Sequence, residues 1–301
     1  HYAQYERSLP KMRRFSIPVE DFDLELTLTC GQTFCWHRLH GDLFEDPSRE
    51  NSWFYTFRNG KPVIVRQDQP DELTVKTDLE LPQIRQALGL NKNLQKVFSR
   101  FPDDKELEKA KKSLWGLRIV QDEFFPCLIS YLCSPQMRIP RIKKMHNSIS
   151  REYGKPVEVE QKSVYRFPTA EELSQASEEE LRSLGVGYRA EYISETVDII
   201  QNDFDSDKLQ RFGYEEARKY LKQLHGVGDK VADCVLLFSC GFHEAYPVDT
   251  WAEKALKALY PELHSEDYDE LSRNVRDYFG QNAGYAQEYL FHAARNDVIE
   301  L

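Results

Sequence analysis

The segment Leu224-His225-Gly226-Val227-Gly228-Asp229-Lys230-Val231-Ala232-Asp233-Cys234 sets two glycines around one small residue, just ahead of a helical run. A helix ending at Leu224 would turn through Gly226-Val227-Gly228, and a second would start near Lys230 with Val231, Val235 and Phe238 on its apolar stripe. Such a turn points successive backbone N–H groups out of a helix N-terminus. That is an anion site, and a phosphate held there needs no Lys or Arg. Taken alone, Gly-Val-Gly is also an ordinary connection between helices. Nineteen residues beyond Lys230 is Asp249, at the end of Pro247-Val248-Asp249, and it reads locally as the N-cap of a helix entering Trp251-Ala252-Glu253.

The elements that must hold these residues fall into two regions. Trp53-Phe54-Tyr55-Thr56-Phe57, the turn signal Asn59-Gly60 and Val63-Ile64-Val65 form a hairpin, and Phe22 to Leu28 alternates apolar and polar residues like a strand. From about Leu81 the period becomes helical. A stripe of Leu117, Val120, Phe124, Leu128 and Leu132 predicts a helix that Pro126 kinks or divides. The expected class is α+β: an antiparallel sheet domain with flanking helices over residues 1–115, then an all-helical region over 116–301 that carries the active-site cleft.

The chain has 301 residues, 50 acids against 40 bases, and 41% apolar residues. Disorder is excluded by that apolar content, and no apolar run approaches the ~20 residues of a membrane span. The net charge of −10 argues, at face value, against a nucleic-acid partner. Yet residues 1–116 are neutral, residues 134–151 carry a local +5 from Arg138, Arg141, Lys143, Lys144 and Arg151, and the rest of the chain holds the acid excess. Such a short basic run is either a solvated helix face or a phosphate-facing strip. The six cysteines, spaced by five and six within pairs, match neither zinc nor iron–sulfur spacing and read as reduced thiols. No charged-then-apolar leader opens the chain; it starts at His1 rather than Met, as a trimmed start would. The expected compartment is intracellular.

The order of glycines, Lys230, Ala232-Asp233 and Pro247-Val248-Asp249 resembles the helix-hairpin-helix of the base-excision DNA glycosylases, in the bifunctional members that carry both a lysine and an aspartate. Four further blocks resemble the 8-oxoguanine DNA glycosylase family: Gly31-Gln32-Thr33-Phe34-Cys35-Trp36, the run from Arg118 to Met137, Leu184-Gly185-Val186-Gly187-Tyr188-Arg189-Ala190, and Tyr285-Ala286-Gln287 through Leu290-Phe291. Three positions depart from that pattern. Gln136 stands where the family has an asparagine-rich turn, Cys35 replaces an arginine, and Trp251 replaces a histidine.

The resemblance implies that Lys230, as a neutral amine, attacks C1′ of an extruded nucleotide and that Asp249 stabilises charge on the sugar. It implies a base pocket in which the Gly31 carbonyl accepts the N7–H of 8-oxoguanine, Gln287 reads the Watson–Crick edge, and Cys234 and Phe291 sandwich the ring. On the duplex side it assigns Gln136 and Tyr188 to the gap, Arg141 and Arg189 to the orphaned base, and Gly226, Val227 and Gly228 to phosphate. The partner so implied is double-stranded DNA containing a damaged purine, bound by a monomer with no membrane involvement. The chemistry needs no cofactor or catalytic metal, though hairpin carbonyls could hold a monovalent cation. Two other readings stay open: a glycosylase for another damaged or deaminated purine, and a non-catalytic DNA-binding module.

Overall fold

The computed structural model describes residues 12–46 and 51–300; His1 lies outside them. Five strands, β1 (Arg14–Pro18), β2 (His37–Arg38), β3 (Phe54–Arg58), β4 (Lys61–Gln69) and β5 (Glu72–Lys76), form an antiparallel sheet in the order β1-β5-β4-β3-β2. Helices α1 (Leu24–Thr29), α2 (Leu81–Ala87), α3 (Leu94–Phe98) and α4 (Lys105–Leu114) belong to the same half of the chain. The remainder holds α5 (Phe124–Leu132), α6 (Ile139–Tyr153), a hairpin of β6 (Pro156–Val159) and β7 (Lys162–Tyr165), then α7 (Ala170–Leu173), α8 (Glu178–Leu181), α9 (Arg189–Asn202), α10 (Tyr214–Leu221), α11 (Asp229–Val235), α12 (Thr250–Leu259), α13 (Tyr268–Phe279) and α14 (Ala283–Arg295). The fold class is α+β, as the residue pattern implies. No helix among the described residues is long and apolar enough to cross a membrane.

The Asn59-Gly60 hairpin forms as expected, with both residues at positive φ (50° and 70°), the two-residue turn that matches strand twist. Phe22 to Leu28 does not form a strand. Asp23 accepts from the Leu26 amide (2.8 Å) and caps α1, and Leu24, Thr27 and Leu28 bury at helical spacing. Over so few residues, the two periods share the same apolar positions. The 117–132 stripe is also corrected. Leu117 and Val120 are buried in a non-helical segment, the helix starts only at Phe124, and Pro126 sits in its first turn, where proline is tolerated.

Sheet and helices pack as one body. Ile17, Val63, Val65 and Leu73 on one face of the sheet bury with Leu24, Leu28, Ile84 and Leu88. On the other face, Leu39, Tyr55 and Ile64 bury against Val159 of the β6–β7 hairpin, which the sequence reading lacked. Helices α3 and α4 bury Leu94, Val97, Phe98, Leu107 and Leu114 in the same core cluster as the later helices.

The segment from Gly31 to Trp36 is bolted between the two halves. Gln32 donates to the carbonyls of Thr27 (2.9 Å) and Arg118 (2.7 Å), accepts from Val120 (3.0 Å), and offers its own carbonyl to Tyr131 (2.7 Å). Thr33 donates to Asp122 (2.6 Å), whose carboxyl burial pushes up to about 6. Lys143 of α6 donates to the carbonyls of Phe34 (2.7 Å) and Trp36 (2.6 Å) and lies 3.1 Å from His37 Nδ1. It is therefore not part of a phosphate-facing strip, although Arg138, Arg141, Lys144 and Arg151 are exposed. Burial pushes Lys143 down to about 7, against Cys35, Asp42 and Asp122, which favour its charge.

Lys143→Met should cost about 2–4 kcal/mol in urea unfolding, because two buried carbonyls lose their donor. With a folded value near 7 and an ordinary lysine value of about 10.4, the unfolded chain holds the extra proton between them. Lys143's contribution to stability therefore rises with pH across that window, and the loss should be larger at about pH 9 than at about pH 7. A loss below about 0.5 kcal/mol at both would assign the contact to the surface.

Candidate active site and nucleic-acid interface

The Gly-Val-Gly turn lies between α10 and α11 as expected, though α10 ends at Leu221 and Leu224 lies in the connection. Gly226 has φ +81°, and a Cβ there would meet the Tyr192 ring at 2.6 Å, so only glycine fits. The Val227 amide bonds the Leu224 carbonyl (3.1 Å) and is not free for an anion. The free donors belong to the first turn of α11, which opens at Gly228 with no side-chain cap. Asp229, an acid at that helix start, is paired with Arg218 (2.6 Å) and Lys222.

Lys230 follows on α11, half-buried, with its ammonium nitrogen 2.9 Å from Ser134 Oγ and 5.6 Å from the centre of the Tyr131 ring. Asp249 caps α12, accepting from the amides of Trp251 (3.0 Å) and Ala252 (2.8 Å). The two come together at a neck. Outside lies a groove of about 1000 Å³ bordered by Gln136, Arg138, Gly228, Asp249 and Trp251. Inside lies a cavity of about 100 Å³ whose wall includes Gly31, Cys234, Gln287 and Phe291. Lys230, Asp249 and Phe291 border both.

The cavity wall combines a constrained backbone, a thiol and an unpartnered amide oxygen. Gly31 has φ +108°, and Ile139 leaves only 2.4 Å for a Cβ there. Arg295 donates to the adjoining Cys30 carbonyl (3.3 Å) and holds that backbone. Cys234 is 3% exposed, and burial pushes its thiol up to about 12 against the opposing charge of Lys230. It is a neutral, polarisable surface. Gln287 is buried with its Oε1 unpartnered, an orphaned acceptor of the kind a ligand donor satisfies.

A hydroxyl holds the two halves of the neck together. Tyr268 of α13 donates to Asp233 (2.8 Å), three residues beyond Lys230, and accepts from the Val248 amide (3.2 Å), one residue before Asp249. Tyr214 donates to the other Asp233 oxygen (2.7 Å). Burial pushes the Asp233 carboxyl up to about 6, although both phenols and Arg218 favour its charge. Ser134, Tyr214, Asp233 and Tyr268 were absent from the sequence-derived site. Their signals are contacts across the chain, Ser134 being 96 residues from Lys230.

On the groove side, Gln136 is exposed at φ +58°, a left-handed conformation unusual for a side-chain-bearing residue. Tyr188 is 47% exposed, edge-on to Tyr192. Arg141 is exposed and donates to the Gly185 carbonyl (3.3 Å). Arg189 faces inward: it is 2% exposed and donates to the Pro135 carbonyl, with its guanidinium 4.5 Å from the Tyr188 ring centre. In this conformation it ties the Gly187 turn to the Gln136 turn and does not reach the groove.

The family comparisons divide the chain in two. Residues 14–128 match the 8-oxoguanine DNA glycosylase N-terminal domain, and residues 129–281 match the HhH-GPD superfamily base excision DNA repair proteins. A probable N-glycosylase/DNA lyase of Methanothermobacter thermautotrophicus is 31% identical, covering 94% of this chain and 97% of its own. The N-glycosylase/DNA lyase of Saccharomyces cerevisiae is 32% identical, over 83% of this chain and 71% of its own. The crystal structure of a Clostridium acetobutylicum 8-oxoguanine glycosylase/lyase, in complex with double-stranded DNA containing cytosine opposite the lesion, superposes with a TM-score of 0.81 at 29% identity, covering 96% of this chain and all of that one. With both of its halves matched in this way, the chain belongs to the HhH-GPD superfamily of base excision DNA repair proteins, in the branch that carries the 8-oxoguanine DNA glycosylase N-terminal domain.

Proposed function

We propose that this chain is a bifunctional DNA glycosylase/AP lyase that extrudes 8-oxoguanine from duplex DNA, excises it through Lys230 and then cuts the strand. The observation that carries the reading is the neck, where an amine and a carboxylate stand between an open groove and a cavity lined by Gly31, Cys234, Gln287 and Phe291.

The duplex lies in the groove, its phosphate backbone on the first turn of α11. The target nucleotide swings through the neck, and Tyr188 and Gln136 fill the space it leaves. In the cavity, the Gly31 carbonyl accepts the N7–H of 8-oxoguanine. Guanine would present an acceptor to that acceptor and is rejected. Gln287 pairs its orphaned Oε1 with the Watson–Crick edge. The free amine of Lys230 attacks C1′, the bond from C1′ to the base breaks, and the base leaves with that electron pair and takes up a proton. The Asp249 carboxylate stabilises the positive charge on the sugar. The bonded nitrogen loses a proton, its lone pair breaks the C1′–O4′ bond, and O4′ takes up a proton as the sugar opens to a protonated Schiff base; removal of a C2′ proton then expels the 3′ phosphate by β-elimination. No step calls for a redox cofactor or catalytic metal. A monovalent cation held by hairpin carbonyls would only assist phosphate binding.

Borohydride reduction in the presence of a duplex containing 8-oxoguanine should trap a covalent protein–DNA adduct, and Lys230→Gln should abolish it. An unchanged adduct in that variant, or none in the wild type, contradicts the mechanism. Tyr268→Phe keeps the ring but removes the hydroxyl between Asp233 and Val248. It should lower kcat about 10- to 100-fold with little change in KM; an unchanged kcat removes Tyr268 from the positioning of the neck. The groove lining contains few cations, Arg138, Lys230 and Arg295, beside Asp229, Asp249 and Glu253. Affinity for undamaged duplex should therefore fall with salt on a log–log slope no steeper than about −4. A slope near −8 would place many more cations on phosphate.

A further inference from the structure

Three donors that excision does not use converge beside the cavity, between the Gly31 segment and α14. Cys30 ends α1, beside Gly31, and Glu288 and His292 lie one turn apart on α14. His292 Nε2 is 3.3 Å from Glu288 Oε2, and Cys30 Sγ is 3.9 Å from the same oxygen. The three donor atoms all lie within 4.8 Å of one another, and the residues are 7%, 4% and 3% exposed. A thiolate, an imidazole and a carboxylate are the ligand types of zinc, whose bonds of about 2.0–2.3 Å in a tetrahedron set the donors roughly 3.3–3.8 Å apart. The observed spacings are close to that. Cluster members are 258 residues apart in sequence, so their convergence is a property of the fold.

We propose that Cys30, Glu288 and His292 form a site for one borderline-soft divalent cation of the zinc class, which fastens the Gly31 backbone to α14. Cys30 precedes Gly31, and α14 carries Gln287 and Phe291; all three of Gly31, Gln287 and Phe291 line the cavity. A metal bridging Cys30 to α14 fixes the width of the purine site. Glu288 and His292 also border the cavity, so the fourth coordination position opens onto it and takes a water. Binding displaces to solvent both the thiol proton and the proton that His292 carries in its ion pair with Glu288.

The test uses the full chain, freed of any affinity tag and dialysed against Zn²⁺ or Co²⁺. Elemental analysis should find about one zinc per chain, and Co²⁺ should give the thiolate-to-cobalt charge-transfer band. Cys30→Ser and Cys30→Ala should each remove the band and weaken zinc by at least about 100-fold, with circular dichroism confirming that the variants fold. His292→Gln, a second route into the site, should do the same for zinc. His225→Ala, which dismantles the exposed Glu191–Glu195–His225 group, should leave both signals intact. No stoichiometric metal, a band that survives both Cys30 substitutions, or loss of metal in His225→Ala would overturn the site and leave the cluster a metal-free ion pair beside a thiol. The inference stands apart from the excision reading. Metal-free protein that still traps DNA refutes only the site, and metal-loaded protein that fails to trap DNA refutes only the excision.

Discussion

The active neck depends on one phenol. Tyr268 donates to Asp233 on the helix that carries Lys230 and accepts from Val248 in the loop that ends at Asp249. Amine and carboxylate come from separate elements, and each is anchored locally: Lys230 by the first turn of α11, Asp249 by its own capping bonds to α12. Local anchoring orients each group but does not set one against the other. Buried Asp233, shared between Tyr214 and Tyr268, supplies that register. Hydrogen bonds to a carboxylate in a dry environment are strong and directional, so the register is stiff. The second constraint is the bolt of Gln32 and Lys143, which holds the Gly31 backbone against the helical half.

What was legible in the sequence is what short-range chemistry determines. Asn59-Gly60 names its turn type, Gly226 and Gly228 frame a tight turn, and Asp249 before Thr250-Trp251 is a cap. The resemblance supplied the rest of the cavity wall, and the geometry places Gly31, Cys234, Gln287 and Phe291 around one space. What was missed lay in longer-range packing. The Glu160-Gln161 turn adopts positive φ at both residues (48° and 65°) without glycine or asparagine, so β6–β7 had no turn signal. Phe22–Leu28 is too short for its period to separate strand from helix, and only the Asp23 cap decides. Lys143 looked like one of five surface cations, yet its partners are carbonyls more than 100 residues away. No spacing rule marks Tyr268, whose value lies in the two elements it touches.

The acidic balance acquires a specific meaning on this fold. A chain of net −10 can still hold DNA when backbone amides of a helix start face the phosphate and the acid at that start is neutralised internally. Asp229 does not repel the backbone because Arg218 and Lys222 already hold it. Lys230, left without a carboxylate partner on its nitrogen among the described contacts, sits on a serine hydroxyl and an aromatic face.

The most direct measurement is a crystal structure of the borohydride-reduced complex with a duplex containing 8-oxoguanine. The account predicts continuous density from Lys230 Nζ to C1′ of the lesion sugar at the neck, with Asp249 beside that sugar and Tyr188 against the gap. A covalent bond to any other amine, or a lesion sugar still stacked in the duplex and away from the cavity of Gly31, Cys234, Gln287 and Phe291, would contradict it.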